Sequence, residues 1–142
     1  VFLMRDPVSR YWSHLRFHQM MNPGFEPLDH VESFLENQDF WERTDYRKTI
    51  QELESVFQAE DICYAFYEHL FSENKHARTL KTITAFIDVE YREATFKKAV
   101  NQSIALDLPK EKTPLLRDAF SPIYNFVEDR FGTAVPENWL TD

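Results

Sequence analysis

The sequence has little cysteine, little glycine and no long apolar run, and each scarcity removes a class of protein. Cys63 stands alone among 142 residues, so no intramolecular disulfide can form. A reducing, cytoplasmic compartment is the natural reading, with Cys63 a small core residue in a strand rather than a nucleophile. The glycines are Gly24 and Gly132, and neither precedes a Lys-Ser/Thr pair, so no glycine-rich phosphate loop is found. No apolar stretch approaches the ~20 residues that span a bilayer, and the first residues are not signal-like. Positive charge is scarce too: 16 Lys and Arg face 24 Asp and Glu, a net charge of −8. A long polyanion would feel that whole field, which argues against nucleic acid as a partner. His14 and His18 sit at i and i+4, yet no Glu lies between them as in a zinc-protease helix and no third ligand is evident. They read as local basicity, or as rings packed beside Trp12, and no metal is expected.

What is present describes one domain over residues 1–142, rich in aromatic side chains, with 13 Phe, 6 Tyr and 3 Trp. Val1 to Met4 and Ile62 to Phe66 are short apolar runs of the kind buried in parallel sheets. The rest reads as helix. Asp6 suits an N-cap and Pro7 a first helical position, which predicts a helix from Pro7 towards Met21. Tyr46, Ile50, Leu53 and Phe57 recur at helical spacing between Asp45 and Gln58, and Leu80, Ile83 and Ile87 do so in a helix expected to start after Ser72 as its cap. Thr113-Pro114 and Ser121-Pro122 are cap-plus-proline starts, so the last helical region should break near Pro122 and close at Gly132. A short helix is expected from Asp29 to Glu36. The fold class is therefore α/β, mostly helical with two short parallel strands. Two such strands make no stable sheet by themselves, and the expectation is that further residues, or another chain in an oligomer, pair with an open sheet edge.

The most informative segment is Arg5-Asp6-Pro7-Val8-Ser9-Arg10-Tyr11-Trp12-Ser13. Counting by four from Arg5 reaches Ser9 and Ser13, which places a guanidinium and two hydroxyls along one side of a strand-helix junction. Arg offers a rigid fork of donors matched to phosphate oxygens, and Ser adds a donor without competing charge. Residues 1–21 hold Arg5, Arg10 and Arg16 against Asp6 alone, a local basic patch in an acidic chain that favours a small anionic ligand. The alternative is an ordinary helix start in which Arg5 pairs with a carboxylate and Ser13 faces solvent.

Arg5-Asp6-Pro7 followed by Ser13 resembles the 3'-phosphate motif of the sulfotransferases that use 3'-phosphoadenosine 5'-phosphosulfate (PAPS). Asp61 to Leu70 is similar to that family's strand ending in Tyr-Glu-Asp/Glu-Leu, with His69 in place of the acidic residue. Thr79 to Ile87 and Leu116 to Gly132 with Trp139 resemble its later helices. The resemblance implies a P-loop-like sulfotransferase fold, of which this chain is the C-terminal portion without the phosphosulfate loop. It also implies sulfuryl transfer from PAPS to a hydroxyl or amine of a small-molecule or glycan acceptor, with no metal. Arg5 and Ser13 would bind the 3'-phosphate, Tyr67 would lie against the adenine at the end of its strand, and Ser103 would be a further adenine neighbour. The family's catalytic base lies upstream of the Arg-Asp-Pro segment, so no catalytic residue is named. In the family the stretch from Asn22 to Arg43 helps to shape the acceptor pocket; Phe25, Phe34, Phe40 and Trp41 in it suit an acceptor wall or a hydrophobic core, and the core reading is favoured. Two other classes stay open: a nucleotide kinase-like phosphotransferase, and a helical interaction module without catalysis.

Overall fold

A computed structural model describes residues 1–94 and 104–140. The chain opens with strand β1 (Phe2–Met4), which pairs in parallel with β2 (Tyr64–Phe66) in the register Phe2↔Tyr64, Leu3↔Ala65 and Met4↔Phe66. Strand β2 is shorter than the apolar run suggests: it follows a 3-10 turn at Ala59–Asp61 and starts at Tyr64, with the Cys63 carbonyl just before it accepting the Phe2 N–H at 2.8 Å. Among the described residues these two strands are the whole sheet, and Leu3 on β1 and Val1 just before it are exposed.

Helix α1 (Pro7–Met21) runs over the predicted span, with Asp6 as its cap and Pro7 at its first position. The expected helix from Asp29 to Glu36 is instead two 3-10 turns, Pro27–His30 and Ser33–Glu36, followed by the short α2 (Gln38–Glu42). Asn37 caps α2 by accepting the Asp39 N–H at 3.0 Å, a start signal that local periodicity does not carry. Helix α3 (Tyr46–Val56) is capped by Asp45, which accepts the Lys48 N–H at 3.1 Å, and it buries Tyr46 and Ile50.

Helix α4 (Tyr67–Phe71) begins directly at the end of β2 with no intervening loop. Ser72 is not the cap of the next helix. It ends α4, and its carbonyl accepts the N–H groups of Lys75 and His76 in a turn that delays α5 to His76–Phe86. Helices α6 (Thr113–Ala119) and α7 (Ser121–Phe131) meet at Phe120, so the break falls near Pro122 as expected, but Thr113 and Ser121 are the first helical residues rather than caps and neither side chain caps its helix; α8 (Glu137–Leu140) follows a turn. Gly132 closes α7 at φ 53°, ψ −125°, backbone that an L side chain rarely adopts.

The core lies where α1, α6 and α7 converge on the strands. Met4, Leu15, Leu116, Phe120, Ile123 and Val127 are nearly fully buried, together with Tyr46 and Trp139. Phe25, Phe34, Phe40 and Trp41 join this packing: the Phe34 and Phe40 rings lie 4.5 Å apart and Trp41 stacks on Phe120 at 5.3 Å. The histidines of α1 lie on this side rather than beside Trp12, with His14 stacked on Phe40 at 3.9 Å and His18 4.5 Å from Phe25. Trp12 faces elsewhere and donates its indole N–H to the Leu106 carbonyl at 2.8 Å.

Candidate functional site

The Arg5-Asp6-Pro7 turn is held from four directions. The Asp6 carboxylate accepts the Ser9 N–H at 2.7 Å, which caps α1, and the Tyr124 hydroxyl of α7 at 2.6 Å. Its backbone N–H donates to Glu68 Oε1 of α4 at 2.8 Å. Tyr46 at the start of α3 donates its hydroxyl to the Arg5 carbonyl at 2.6 Å. Asp6 is only 6% exposed, so the Ser9 N–H and the Tyr124 hydroxyl are what make its buried carboxylate tolerable. Burial above all, and the Asp6 charge after it, pushes the Tyr124 hydroxyl far up, and burial pushes Tyr46 up to about 12. Both phenols therefore stay protonated and serve as donors.

This web fixes the backbone on either side of Arg5 and leaves its side chain free to work. Arg5 and Tyr67 directly follow Met4 and Phe66, the last pair of the ladder, and the Arg5 guanidinium lies 4.9 Å from the centre of the Tyr67 ring. Tyr67 is thus the first residue of α4 rather than the last of its strand. Arg5 lines two pockets. One, of about 270 Å³, also holds Arg10, Ser13, His14 and Arg43. The other, of about 400 Å³, holds Ser9, Tyr67, Glu68 and Asn138. The line of Arg5, Ser9 and Ser13 read from spacing is thus split, with Arg5 common to both halves. Ser103 lies outside the described residues.

The smaller pocket is electropositive. No carboxylate lines it, and among the described residues Arg5, Arg10 and Arg43 make no ion pair. Partial burial lowers the His14 pKa, and the Arg43 and Arg10 charges lower it further, which keeps the imidazole neutral near pH 7. In the larger pocket Glu68 keeps its second oxygen, Oε2, buried and without a partner. A buried carboxylate oxygen left bare beside an arginine is a place for a ligand's hydrogen-bond donor. A still larger cavity of about 670 Å³ beside α6, α7 and α8 mixes Lys110 and Arg117 with Asp118 and Glu128, so it offers an anion no net attraction.

The sequence singles out Arg5, Ser13 and Tyr67, which line these pockets, and does not single out Arg43 or Glu68 in their walls or Tyr46 and Tyr124 behind them. Glu68 was visible inside the Tyr-Glu pair but its work, holding the Asp6 N–H, spans 62 positions. Among the described residues no group of three His, Cys, Asp or Glu is placed to hold a metal, and no helix is long and apolar enough to cross a membrane. No curated protein and no solved structure matches the chain. The family model described as Sulfotransferase domain matches residues 1–113. That span contains the Arg-Asp-Pro turn, every lining residue of the electropositive pocket and the Tyr67-Glu68 turn beside it, and the chain belongs to the sulfotransferase family.

Proposed function

We propose that the protein transfers a sulfuryl group from PAPS to a hydroxyl or amine of a small-molecule or glycan acceptor, and that it does so on a P-loop-like fold in which residues 1–142 form one domain and supply the 3'-phosphate and adenine side of the donor site. The observation that carries this reading is the convergence of Arg5 and Ser13 on one carboxylate-free pocket, with the Tyr67 ring 4.9 Å from the same guanidinium. The residues fit the group. A pocket of about 270 Å³ with unpaired guanidiniums suits a phosphate, while the bare Glu68 Oε2 and the flat face of Tyr67 suit a nucleoside with its hydroxyl and amino donors.

When bound, PAPS supplies the sulfuryl group and a phosphate leaving group: the acceptor oxygen or nitrogen forms a bond to sulfur as the sulfur–oxygen bond to the 5'-phosphate breaks. The residues of this chain bind and orient. Arg5 and Ser13 hold the 3'-phosphate by charge-assisted hydrogen bonds, and Tyr67 flanks the base, so the donor's free rotation is given up on binding rather than at the moment of transfer. Arg5 is itself positioned by Tyr46 and the Asp6 cap, and by Glu68, which holds the Asp6 N–H through Oε1 and leaves Oε2 for the nucleoside.

Calorimetry with adenosine 3',5'-bisphosphate against ATP and magnesium tests the reading. The bisphosphate should bind, and Arg5→Ala should weaken it by one to two orders of magnitude, since charge-assisted hydrogen bonds contribute roughly 1.5–3 kcal/mol each. An affinity untouched by Arg5→Ala, or a preference for magnesium-ATP, would overturn it.

A further inference from the structure

The electropositive pocket carries more charge than the Arg5 and Ser13 pair accounts for. Arg10 enters from α1, one turn beyond Arg5 and partly buried, and Arg43 enters from the corner between α2 and α3. In a chain with 24 acidic residues, three arginines share this pocket without one carboxylate. Crowding like charges in a partly desolvated site is unfavourable, and an anion is what relieves it. From these positions we infer that Arg10 and Arg43 are further ligands of the donor's 3'-phosphate, and that Arg43, by binding it, ties the α2–α3 corner to α1 when the donor is in place. The inference rests on the proposed donor and adds residues and a consequence to it.

The corner is built for this. Phe40 is buried and stacks on His14, Thr44 is 2% exposed, the Thr44 N–H donates to the Trp41 carbonyl at 2.8 Å, and Asp45 caps α3. The backbone at Arg43 is thus anchored on both sides while its guanidinium is exposed and unpaired. A fixed base with a free tip loses little order on meeting a ligand, which is where preorganised sites gain affinity. Thr44 lines the same pocket, so an anion there touches the corner and α1 together.

The test uses the full chain and compares adenosine 3',5'-bisphosphate with adenosine 5'-monophosphate, which lacks only the 3'-phosphate. Arg43→Ala and Arg10→Ala should each weaken the bisphosphate about tenfold and leave the monophosphate unchanged, with Arg43→Lys intermediate. Hydrogen exchange should show residues 38–46 slowed by the bisphosphate in the wild type and not in Arg43→Ala. Arg43 is exposed, so its loss should leave the denaturation midpoint where it was; that control separates a ligand role from a folding defect. Equal weakening of both nucleotides, or no weakening of either, overturns the inference even where Arg5→Ala abolishes binding and the donor reading stands. Phenyl phosphate provides the converse arm. If it perturbs the amides of Ser13, Arg43 and Thr44 in the wild type while the adenosine ligands fail to bind, the arginine cluster is a phosphomonoester site and the donor assignment falls. Silence of that pocket towards phenyl phosphate and bisphosphate alike removes both.

Discussion

Tyr124→Phe removes one oxygen and tests whether α7 holds the Arg5-Asp6-Pro7 turn. In the wild type that hydroxyl donates to Asp6 Oδ2 at 2.6 Å, the length of a hydrogen bond to an ionised acceptor, and Asp6 is 6% exposed. Without it the carboxylate keeps the Ser9 N–H and loses a donor in a place where water has poor access. Such a bond is worth about 1.5–3 kcal/mol, and the remaining contact at this hydroxyl, the Val8 N–H at 3.5 Å, is too long to add much. The ring stays, with its packing against Trp139 at 6.1 Å, so no cavity term enters. The expected loss is therefore about 1.5–3 kcal/mol, or a fall of about 6–12 °C in Tm at roughly 4 °C per kcal/mol for a chain of this length. Urea denaturation should show a lower midpoint with an unchanged slope. Tyr46→Phe is the built-in comparison, because its hydroxyl donates to the neutral Arg5 carbonyl and should cost only about 0.5–1.5 kcal/mol. If Tyr124→Phe costs under 0.5 kcal/mol, or no more than Tyr46→Phe, the idea that Asp6 is a buried charge dependent on α7 is wrong.

Four further outcomes follow from the packing and the charges. The folded pKa of His14 lies below its unfolded value of about 6.5, so the unfolded chain binds the extra proton and stability contributed by this group should fall as pH drops below about 6.5. An anion beside Arg10, Arg43 and His18 should raise that pKa again, so inorganic sulfate, whose charge is constant over this range, should bind more tightly at pH 5.5 than at 7.5; imidazole shifts of His14 that titrate identically with and without sulfate would contradict it. Gly132→Ala meets no atom within 4 Å of the new Cβ but must hold φ 53°, and should cost about 1–3 kcal/mol through backbone strain alone, read as a midpoint shift. Leu116→Ala, at a fully buried core position, should cost about 2–5 kcal/mol in the same assay, against little for Leu115→Ala at an exposed neighbour.

What could be read from the chain was what neighbouring residues decide. Asp6-Pro7 fixes the start of α1 because cap and ring act within three positions, and Pro122 starts α7 by its ring alone, since Ser121 is the first helical residue rather than a cap and donates its hydroxyl back to the Asp118 carbonyl. Ser72 misled because a serine before a helical pattern can cap with its hydroxyl or turn with its carbonyl, and the backbone bonds to Lys75 and His76 won. The 3-10 turns at Pro27–His30 and Ser33–Glu36 replaced a continuous helix where Phe25 and Phe34 were drawn onto His18 and Phe40, a packing choice no local pattern contains. Around the candidate site, Arg5, Ser13 and Tyr67 were singled out through a motif. Arg43 and Tyr124 reach it only through the tertiary fold, the latter across 118 positions to Asp6.

The register of the sheet has a consequence for how the site persists. Arg5 and Tyr67 each follow directly on the last rung of the ladder, Met4↔Phe66, so the register of the sheet decides which two residues leave it side by side. A slip by a single residue would displace one partner by about 3.3 Å along the strand and turn its side chain to the other face, disassembling the pair in one event. Insertions between α1 and α3 are therefore compatible with an intact Arg5–Tyr67 pair, whereas fraying of three backbone rungs is not. Amide protection at Leu3 and Met4 and affinity for the nucleotide should rise and fall as one quantity.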